Sequence, residues 1–361
     1  MKKNILIVDD SALMRRVLSD IINSDDELQS VDFAFNGIMA LEMVQKNTYD
    51  CIVLDIQMPK MNGVEFMRQI NEKNIDLNVV LVSSVASESG EETIQCLGYG
   101  AFDFVKKPAS LTDIKGASFS KTILDLIHLS IDSAKPKAMT KKLPTQAEIV
   151  KKREIISTKS VKSGVSLKGS KLIALACSTG GPKALQEVIP LLPDNLDAPM
   201  VIVQHMPEGF TKSLAERLDA VSKVKVREAE EGDVLTKGNV YIAKGGCHLK
   251  VNNKPGGGGV LSLSNEPPRG GLRPCADIMY ESLVDSSYDQ IICVVLTGMG
   301  ADGTSGINYL KNKKKLYVIS QDKDSCTVYG MPKMIYESGV TDEVRPLSDI
   351  ASAITSITGV R

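Results

Sequence analysis

No apolar run in this sequence approaches the ~18 consecutive residues that a membrane-spanning helix needs, so no membrane insertion is expected. The N-terminus is equally poor in this respect. Lys2 and Lys3 are followed only by the short run Ile5-Leu6-Ile7-Val8 before Asp9 and Asp10, too brief for the apolar core of a secretory signal. Neither sign of charge is in excess. Lys and Arg number 43 against 44 Asp and Glu, a net of -1, which offers no global attraction for nucleic acid or an anionic membrane. The seven cysteines form no CxxC pair and follow no metal-ligand spacing, and several, such as Cys51 and Cys293, lie inside apolar strand-like runs. That usage fits a reducing compartment without disulfides, and a cytoplasmic location is expected. Histidine is scarce as well: His128, His205 and His248 are the whole supply for imidazole chemistry.

What is present is enough for two cores. A chain of 361 residues with 43% apolar content can bury two domains. Up to about residue 130, short apolar runs (NILIVDD, YDCIVLDIQ, NVVLVSS, FDFVKKP and a weaker VDFAF) alternate with helical patterns. Leu13, Met14, Val17, Leu18, Ile21 and Ile22, for example, form one apolar stripe at helical spacing. A last helical pattern spans roughly 111–133. The stretch from about 134 to 168 is rich in Lys, Ser and Thr, without a firm period, and reads as a solvated tether. From Lys171 the alternation resumes, with an interlude at 224–266 that reads as an inserted β-meander. Within it, Gly256 to Gly259 join two alternating strands, so they form a hairpin loop and not a phosphate-binding turn, which would need a helix directly after it. The expectation is an α/β chain of two doubly wound parallel-sheet domains, 1–125 and 169–361, joined by a linker at 126–168.

Ligands of doubly wound sheets bind outside the carboxyl ends of the strands. In the first half these ends carry Asp9 and Asp10, Asp55, Ser83 and Ser84, and Lys106, Lys107 and Pro108. Carboxylates converging this closely repel one another unless a cation lies between them, and an oxygen-only donor set favours Mg²⁺. Lys107 and the Ser83 hydroxyl are then placed to hold a phosphoryl group on Asp55. The joint pattern DD…D-x-x-MP-x-x-(N)G…S…KP resembles the receiver domain of two-component response regulators, over essentially all of residues 1–125. The resemblance implies a flavodoxin-like fold and a histidine kinase as phosphodonor. It makes Asp55 the phosphoacceptor, and Asp10, Asp55 and the Gln57 carbonyl direct Mg²⁺ ligands, with Asp9 acting through water. It further implies Ser83 as switch hydroxyl, Lys107 as the phosphoryl-binding lysine and Phe104 as the switch aromatic.

The second half poses the same question. The run KLIALAC leads into Ser178-Thr179-Gly180-Gly181-Pro182, a tight strand-to-helix turn whose helix N–H groups point at any developing oxyanion. MVIVQ ends in His205, and IICVVL ends in Thr297 to Gly303, which includes Asp302. Serine, histidine and aspartate at one sheet edge form a hydrolytic triad. From spacing alone a triad and a nucleotide-binding glycine turn fit about equally well. Asp322, at another strand end, competes with Asp302, and Cys177 is a rival nucleophile. Ser178 is favoured because Cys177 continues the apolar run and adjacent strand residues point opposite ways.

The segments ACSTGGPKAL, VIVQHMPEGFTKSLAERLD, GNVYIA, GLRPCADIMYESL, VVLTGMGADG and SCTVYGMP resemble the catalytic domain of the chemotaxis protein-glutamate methylesterase family, often called CheB. This resemblance runs from about Lys171 to the C-terminus and implies a Rossmann-like hydrolase. It implies Ser178 as nucleophile, His205 as base, Asp302 as orienting acid, and backbone N–H groups at Thr179 and Met299 as oxyanion donors. It also implies chemoreceptors as substrate, demethylation and deamidation as reactions, and no cofactor for hydrolysis. Two positions depart from the family pattern: Ala176-Cys177 stands where Gly-Ala is usual, and Lys244 where a proline is common. Other outputs fit less well. A DNA-binding output would need a basic helix-turn-helix, and a non-catalytic binding module would have no need of Ser, His and Asp together at strand ends.

Overall fold

The computed structural model of the chain describes residues 2–84, 87–108, 117–133 and 168–359. They fall into two compact units, Met1–Leu143 and Pro144–Arg361.

The first unit runs β1 (Lys3–Val8), α1 (Ala12–Asn23), β2 (Leu28–Ala34), α2 (Gly37–Lys46), β3 (Cys51–Asp55), α3 (Gly63–Glu72), β4 (Val79–Ser83), α4 (Ser87–Gly98), β5 (Asp103–Lys106) and α5 (Ala117–Asp132). Its five strands pair in parallel in the order β2-β1-β3-β4-β5. A parallel strand covered on both faces has no wet side, so β3 and β4 are buried along their whole length. Their only strongly polar residues, Asp55 and Ser83, come last. Alternate residues separate the two faces. Ile5, Ile7, Val53 and Val80 pack with Leu18, Ile21 and Ile22 of α1 and with Phe119, Ile123, Leu126 and Ile127 of α5. Leu6, Ile52, Leu54 and Leu81 point the other way and are equally buried. Chain progression reverses between β1 and β3, which opens a crevice at their carboxyl ends.

The unit does not stop at 125 as the sequence reading has it. Helix α5 continues to Asp132 because Leu126 and Ile127 belong to the core, and the Ser130 hydroxyl lies 3.3 Å from Cys51 Sγ. Residues 134–167, most of the expected linker, lie outside the described residues.

The second unit runs β6 (Lys171–Cys177), α6 (Gly181–Val188), β7 (Met200–Gln204), α7 (Phe210–Val221), β8 (Lys225–Glu228), β9 (Asn239–Ile242), β10 (His248–Asn253), β11 (Gly259–Ser264), α8 (Ala276–Ser282), β12 (Gln290–Val295), α9 (Thr304–Lys311), β13 (Lys315–Gln321), α10 (Met331–Glu337), β14 (Glu343–Arg345) and α11 (Leu347–Thr358). Seven strands form one parallel sheet, β14-β13-β12-β6-β7-β9-β8, reversing between β6 and β12.

The interlude divides differently from the expected meander. β8 and β9 join the main sheet in parallel, and only β10 and β11 form an antiparallel hairpin across the Gly256–Gly258 turn. The segment between β8 and β9 carries no helix, and Val234 within it bridges to Val260 of β11, tying hairpin to sheet. Leu249, Val251 and Leu261 of the hairpin then pack on Tyr241, Met279 and Leu283 in the main core. β14 lies in the C-terminal tail, after α10. It is a three-residue edge strand whose partner is β13, too short and too exposed for a period to register.

Candidate active site and phosphoacceptor pocket

In the first unit, β1 and β3 pair Val8 with Leu54, so Asp9 and Asp55 emerge side by side at the crevice. Carboxylate oxygens of Asp9, Asp10 and Asp55 all lie within 4.8 Å of one another; Asp9 and Asp55 are buried and Asp10 is exposed. Lys107 is carried in by its own N–H, which donates to the Ser83 carbonyl and prolongs the β4–β5 ladder. Its ammonium lies 2.7 Å from Asp55 Oδ2 and 3.0 Å from Asp9 Oδ2. Burial raises the Asp55 carboxyl to about 6, against the lowering pull of Lys107 and with Asp9 adding to the rise. Burial alone would lower Lys107, but Asp55 and Asp9 outweigh it and hold the lysine more firmly charged.

Three carboxylates against one ammonium leave a negative surplus. Asp9 Oδ2 is buried without a hydrogen bond, its ammonium neighbour notwithstanding. A hard divalent ion fits these oxygen donors. Gln57 N–H donates to Asp55 Oδ1 at 3.3 Å, which brings residue 57 to the same rim. Ser83 and Phe104 are buried beside the crevice. The Ser83 hydroxyl is engaged with that of Thr93 of α4 at 2.8 Å.

In the second unit, His205 Nε2 lies 2.7 Å from Asp302 Oδ2, with both side chains largely shielded from solvent. This leaves Nδ1 as the ring nitrogen for a second partner. Asp302 is saturated with donors. Oδ2 also accepts from Ala276 N–H, while Oδ1 accepts from Asp277 N–H, Gly303 N–H and the Cys275 thiol. Burial works to raise its carboxyl, but the His205 contact and the Ala276 and Asp277 N–H groups outweigh it and bring it to about 2. Cys275, Asp277 and Asp302 lie within 4.8 Å of one another. Both Asp302 oxygens and Asp277 Oδ1 already accept N–H groups there.

Ser178 follows β6, half-buried, with its N–H donating to the Thr297 carbonyl at 3.0 Å. The turn after it depends on two glycines. Gly180 has φ 75°, and a Cβ on Gly181 would stand 2.0 Å from Gln204 Oε1. Gly298 presses on the nucleophile position: a Cβ there would approach Ser178 Cβ to 2.8 Å. Among the described residues no group accepts from the N–H of Thr179 or of Met299, whereas those of Ser178, Gly181 and Gly298 are all taken.

The two open choices resolve on geometry. Asp322 is turned to its own loop, accepting from the N–H and hydroxyl of Ser325, and Asp302 takes the histidine. Cys177 is fully buried, donates to Gln204 Oε1, and is pushed far up by burial, so no thiolate is exposed beside Ser178.

Several supporting residues had no motif to mark them. Gln204 and Gln321 are the buried polar ends of apolar strands: Gln321 Oε1 accepts from Thr297 N–H, and Thr297 Oγ1 donates to the Thr179 carbonyl. Asp277 Oδ1 accepts from Gly303 and Gly306 N–H, anchoring the start of α9 next to Asp302. A polar residue closing an apolar run was the available signal for the glutamines. Cys275 offered none.

The depressed Asp302 carboxyl has a measurable consequence. A group bound less tightly to its proton in the fold than at its ordinary 3.8 adds stability above that value, and loses it as pH falls towards about 2. The contribution is roughly 2 kcal/mol. Urea denaturation of the second unit as the pH is lowered should show wild type losing its advantage over Asp302→Asn. Parallel stability curves for the two proteins would contradict it.

Comparison with known proteins follows the same division. Residues 5–118 match the response regulator receiver domain family and residues 173–354 the CheB methylesterase family. A protein of Syntrophomonas wolfei named protein-glutamate methylesterase/protein-glutamine glutaminase 1 is 39% identical over 359 residues, covering 99% of both chains. A Pyrococcus abyssi protein of the same name, without the numeral, is 41% identical over 98% of this chain and 93% of its own. The crystal structure of the Thermotoga maritima CheB methylesterase catalytic domain superposes with a TM-score of 0.50 at 41% identity, over 52% of this chain and 99% of that one. Both family matches fall one to a unit, the full-length relatives are about 40% identical over nearly the whole chain, and the chain belongs to the protein-glutamate methylesterase/protein-glutamine glutaminase family.

Proposed function

We propose that this enzyme hydrolyses glutamate methyl esters on chemoreceptors, and deamidates receptor glutamines, through Ser178, His205 and Asp302, under control of a phosphoryl group on Asp55. The observation that carries the hydrolytic reading is the 2.7 Å His205–Asp302 contact at the edge where Ser178 leaves the sheet.

His205 Nδ1 takes the proton of Ser178 Oγ as the oxygen attacks the γ-carbonyl carbon. The oxyanion that forms is held by the N–H groups of Thr179 and Met299, which lack protein acceptors among the described residues. Asp302 stabilises the imidazolium, which is the same charge that keeps its own carboxyl low. Collapse breaks the C–O bond, and methanol leaves with the proton from His205. Water, deprotonated by His205, then hydrolyses the glutamyl ester and returns a charged glutamate. With glutamine as substrate the same steps release ammonia.

In the receiver unit, a carboxylate oxygen of Asp55 attacks the phosphorus of a phosphohistidine on a histidine kinase. Lys107 neutralises the phosphoryl oxygens, joined by Ser83 once it parts from Thr93. Asp10, Asp55 and the Gln57 carbonyl would hold Mg²⁺, with Asp9 through water, and this ion supplies charge neutralisation for phosphoryl transfer. Phe104 is the aromatic that follows the switch. A non-catalytic second unit gains no support, since the full-length relatives carry the name of an enzyme.

The test is methanol release from a carboxyl-methylated receptor, with and without a small-molecule phosphodonor. Release that rises with the phosphodonor is expected. No release under either condition would overturn the activity, and equal release would overturn the control.

A further inference from the structure

Gln204 sits between the nucleophile and the base. It ends β7 directly opposite Cys177, the end of β6, and the ladder between the two strands closes with His205 N–H donating to the Cys177 carbonyl at 3.2 Å. Beyond that rung the chains part, Ser178 into the turn before α6 and His205 towards α7. The Gln204 carboxamide spans the opening. Its Nε2 donates to the Ser178 carbonyl at 3.0 Å and to the His205 carbonyl at 3.1 Å, and its Oε1 accepts from the Cys177 thiol at 3.0 Å.

The orientation of this amide is set by chemistry. Two carbonyl oxygens can only accept, so the NH₂ must face them, and the remaining oxygen faces a thiol that burial keeps protonated. Gln204 is 1% exposed, so water has almost no access to replace these bonds. The space it occupies is the reason residue 181 is glycine, because a Cβ there would meet Oε1 at 2.0 Å. Cys177, one of the departures from the family pattern, supplies the third bond of this clamp.

We infer that Gln204 is a positioning residue: one side-chain amide grips the carbonyls of Ser178 and His205 and sets the separation of nucleophile and base. This rests on the assignment of those two residues to catalysis. It acts through backbone, touching no substrate, so its removal lowers kcat and leaves KM largely unchanged.

The experiment compares Gln204→Glu and Gln204→Met with wild type and Ser178→Ala in the full-length protein, by methanol release across pH, with thermal melting and Asp55 phosphorylation as fold checks. At alkaline pH, Gln204→Glu places a carboxylate oxygen against two carbonyls, and kcat should fall about 100-fold, the scale of a displacement near 1 Å. A buried glutamate takes up a proton readily, and its O–H restores a donor. The deficit relative to wild type should therefore shrink as pH falls, whereas that of Gln204→Met should not. Either variant, folded and within about twofold of wild-type kcat across pH, overturns the inference, since a displaced pair should cost far more. So does a Gln204→Glu deficit that is independent of pH, or one confined to KM. If Gln204→Glu does not fold, a kcat loss at unchanged KM in Gln204→Met carries the inference, and its absence overturns it. Methanol release surviving in Ser178→Ala would instead sink the assignment of the nucleophile, a result separable from all of these.

Discussion

Ser178→Ala should lower methanol release by about 10⁶-fold, the scale of loss when a triad nucleophile is removed. Asp55 phosphorylation should be untouched, because the acceptor pocket lies in the other unit. The size of the loss follows from what remains. His205 and Asp302 stay paired, and the Thr179 and Met299 N–H groups stay available, but no covalent intermediate can form. The neighbouring thiol offers no substitute. Cys177 is fully buried and its proton is committed to Gln204, so becoming a nucleophile would require breaking that clamp and exposing the strand end. Methanol release with purified variant and methylated receptor is the measurement. Activity within tenfold of wild type would falsify the assignment of Ser178.

Asp55→Asn should abolish the response to phosphodonor altogether. An amide cannot attack phosphorus as a carboxylate does, and no other acceptor is positioned for it: Asp9 is fully buried, and Asp10 stands exposed outside the Lys107 contacts. The substitution keeps the shape of the side chain, so the core of β3 is preserved. It also removes one of the two carboxylates that hold Lys107, leaving Asp9 as its remaining ion-pair partner in this pocket. Two readouts are needed, phosphoryl incorporation and methanol release. Incorporation should vanish, and release should become the same with and without phosphodonor. A phosphodonor-stimulated release that persists in Asp55→Asn would move the acceptor elsewhere.

The receiver pocket was legible because its residues occupy the ends of apolar runs. A run such as YDCIVLD closes on its functional residue, and parallel pairing puts every such end on one side of the sheet. The second site was legible only in part. Ser178, His205 and Asp302 follow three strand ends, yet Asp322 follows another, and spacing alone does not rank the two aspartates, although the family resemblance implies Asp302. The ranking comes from the sheet. β12 and β7 flank β6, so the strand ends leading to Asp302 and His205 lie on either side of the one leading to Ser178, and Asp302 meets His205, while β13 stands one strand further out and its Asp322 folds back on Ser325.

Resemblance and pattern differ on extent. The receiver resemblance ends the first domain at 125, whereas the helical pattern at roughly 111–133 runs on as α5 does, and Leu126 and Ile127 complete the core. The stretch at 224–266 alternates like a meander throughout. Its first two strands are nonetheless parallel members of the main sheet, since direction depends on how the connecting segment travels and not on alternation.

The sequence by itself indicated the two α/β units, and it wrote an aspartate, a lysine and a hydroxyl in the first and a serine, a histidine and an aspartate in the second at or just after the ends of periodic runs. Tertiary structure alone decided which aspartate serves His205, why Cys177 is inert, and that Gln204 ties Ser178 to His205. These depend on strand order, register and burial, which bring together residues far apart in the chain. No local spacing encodes such contacts.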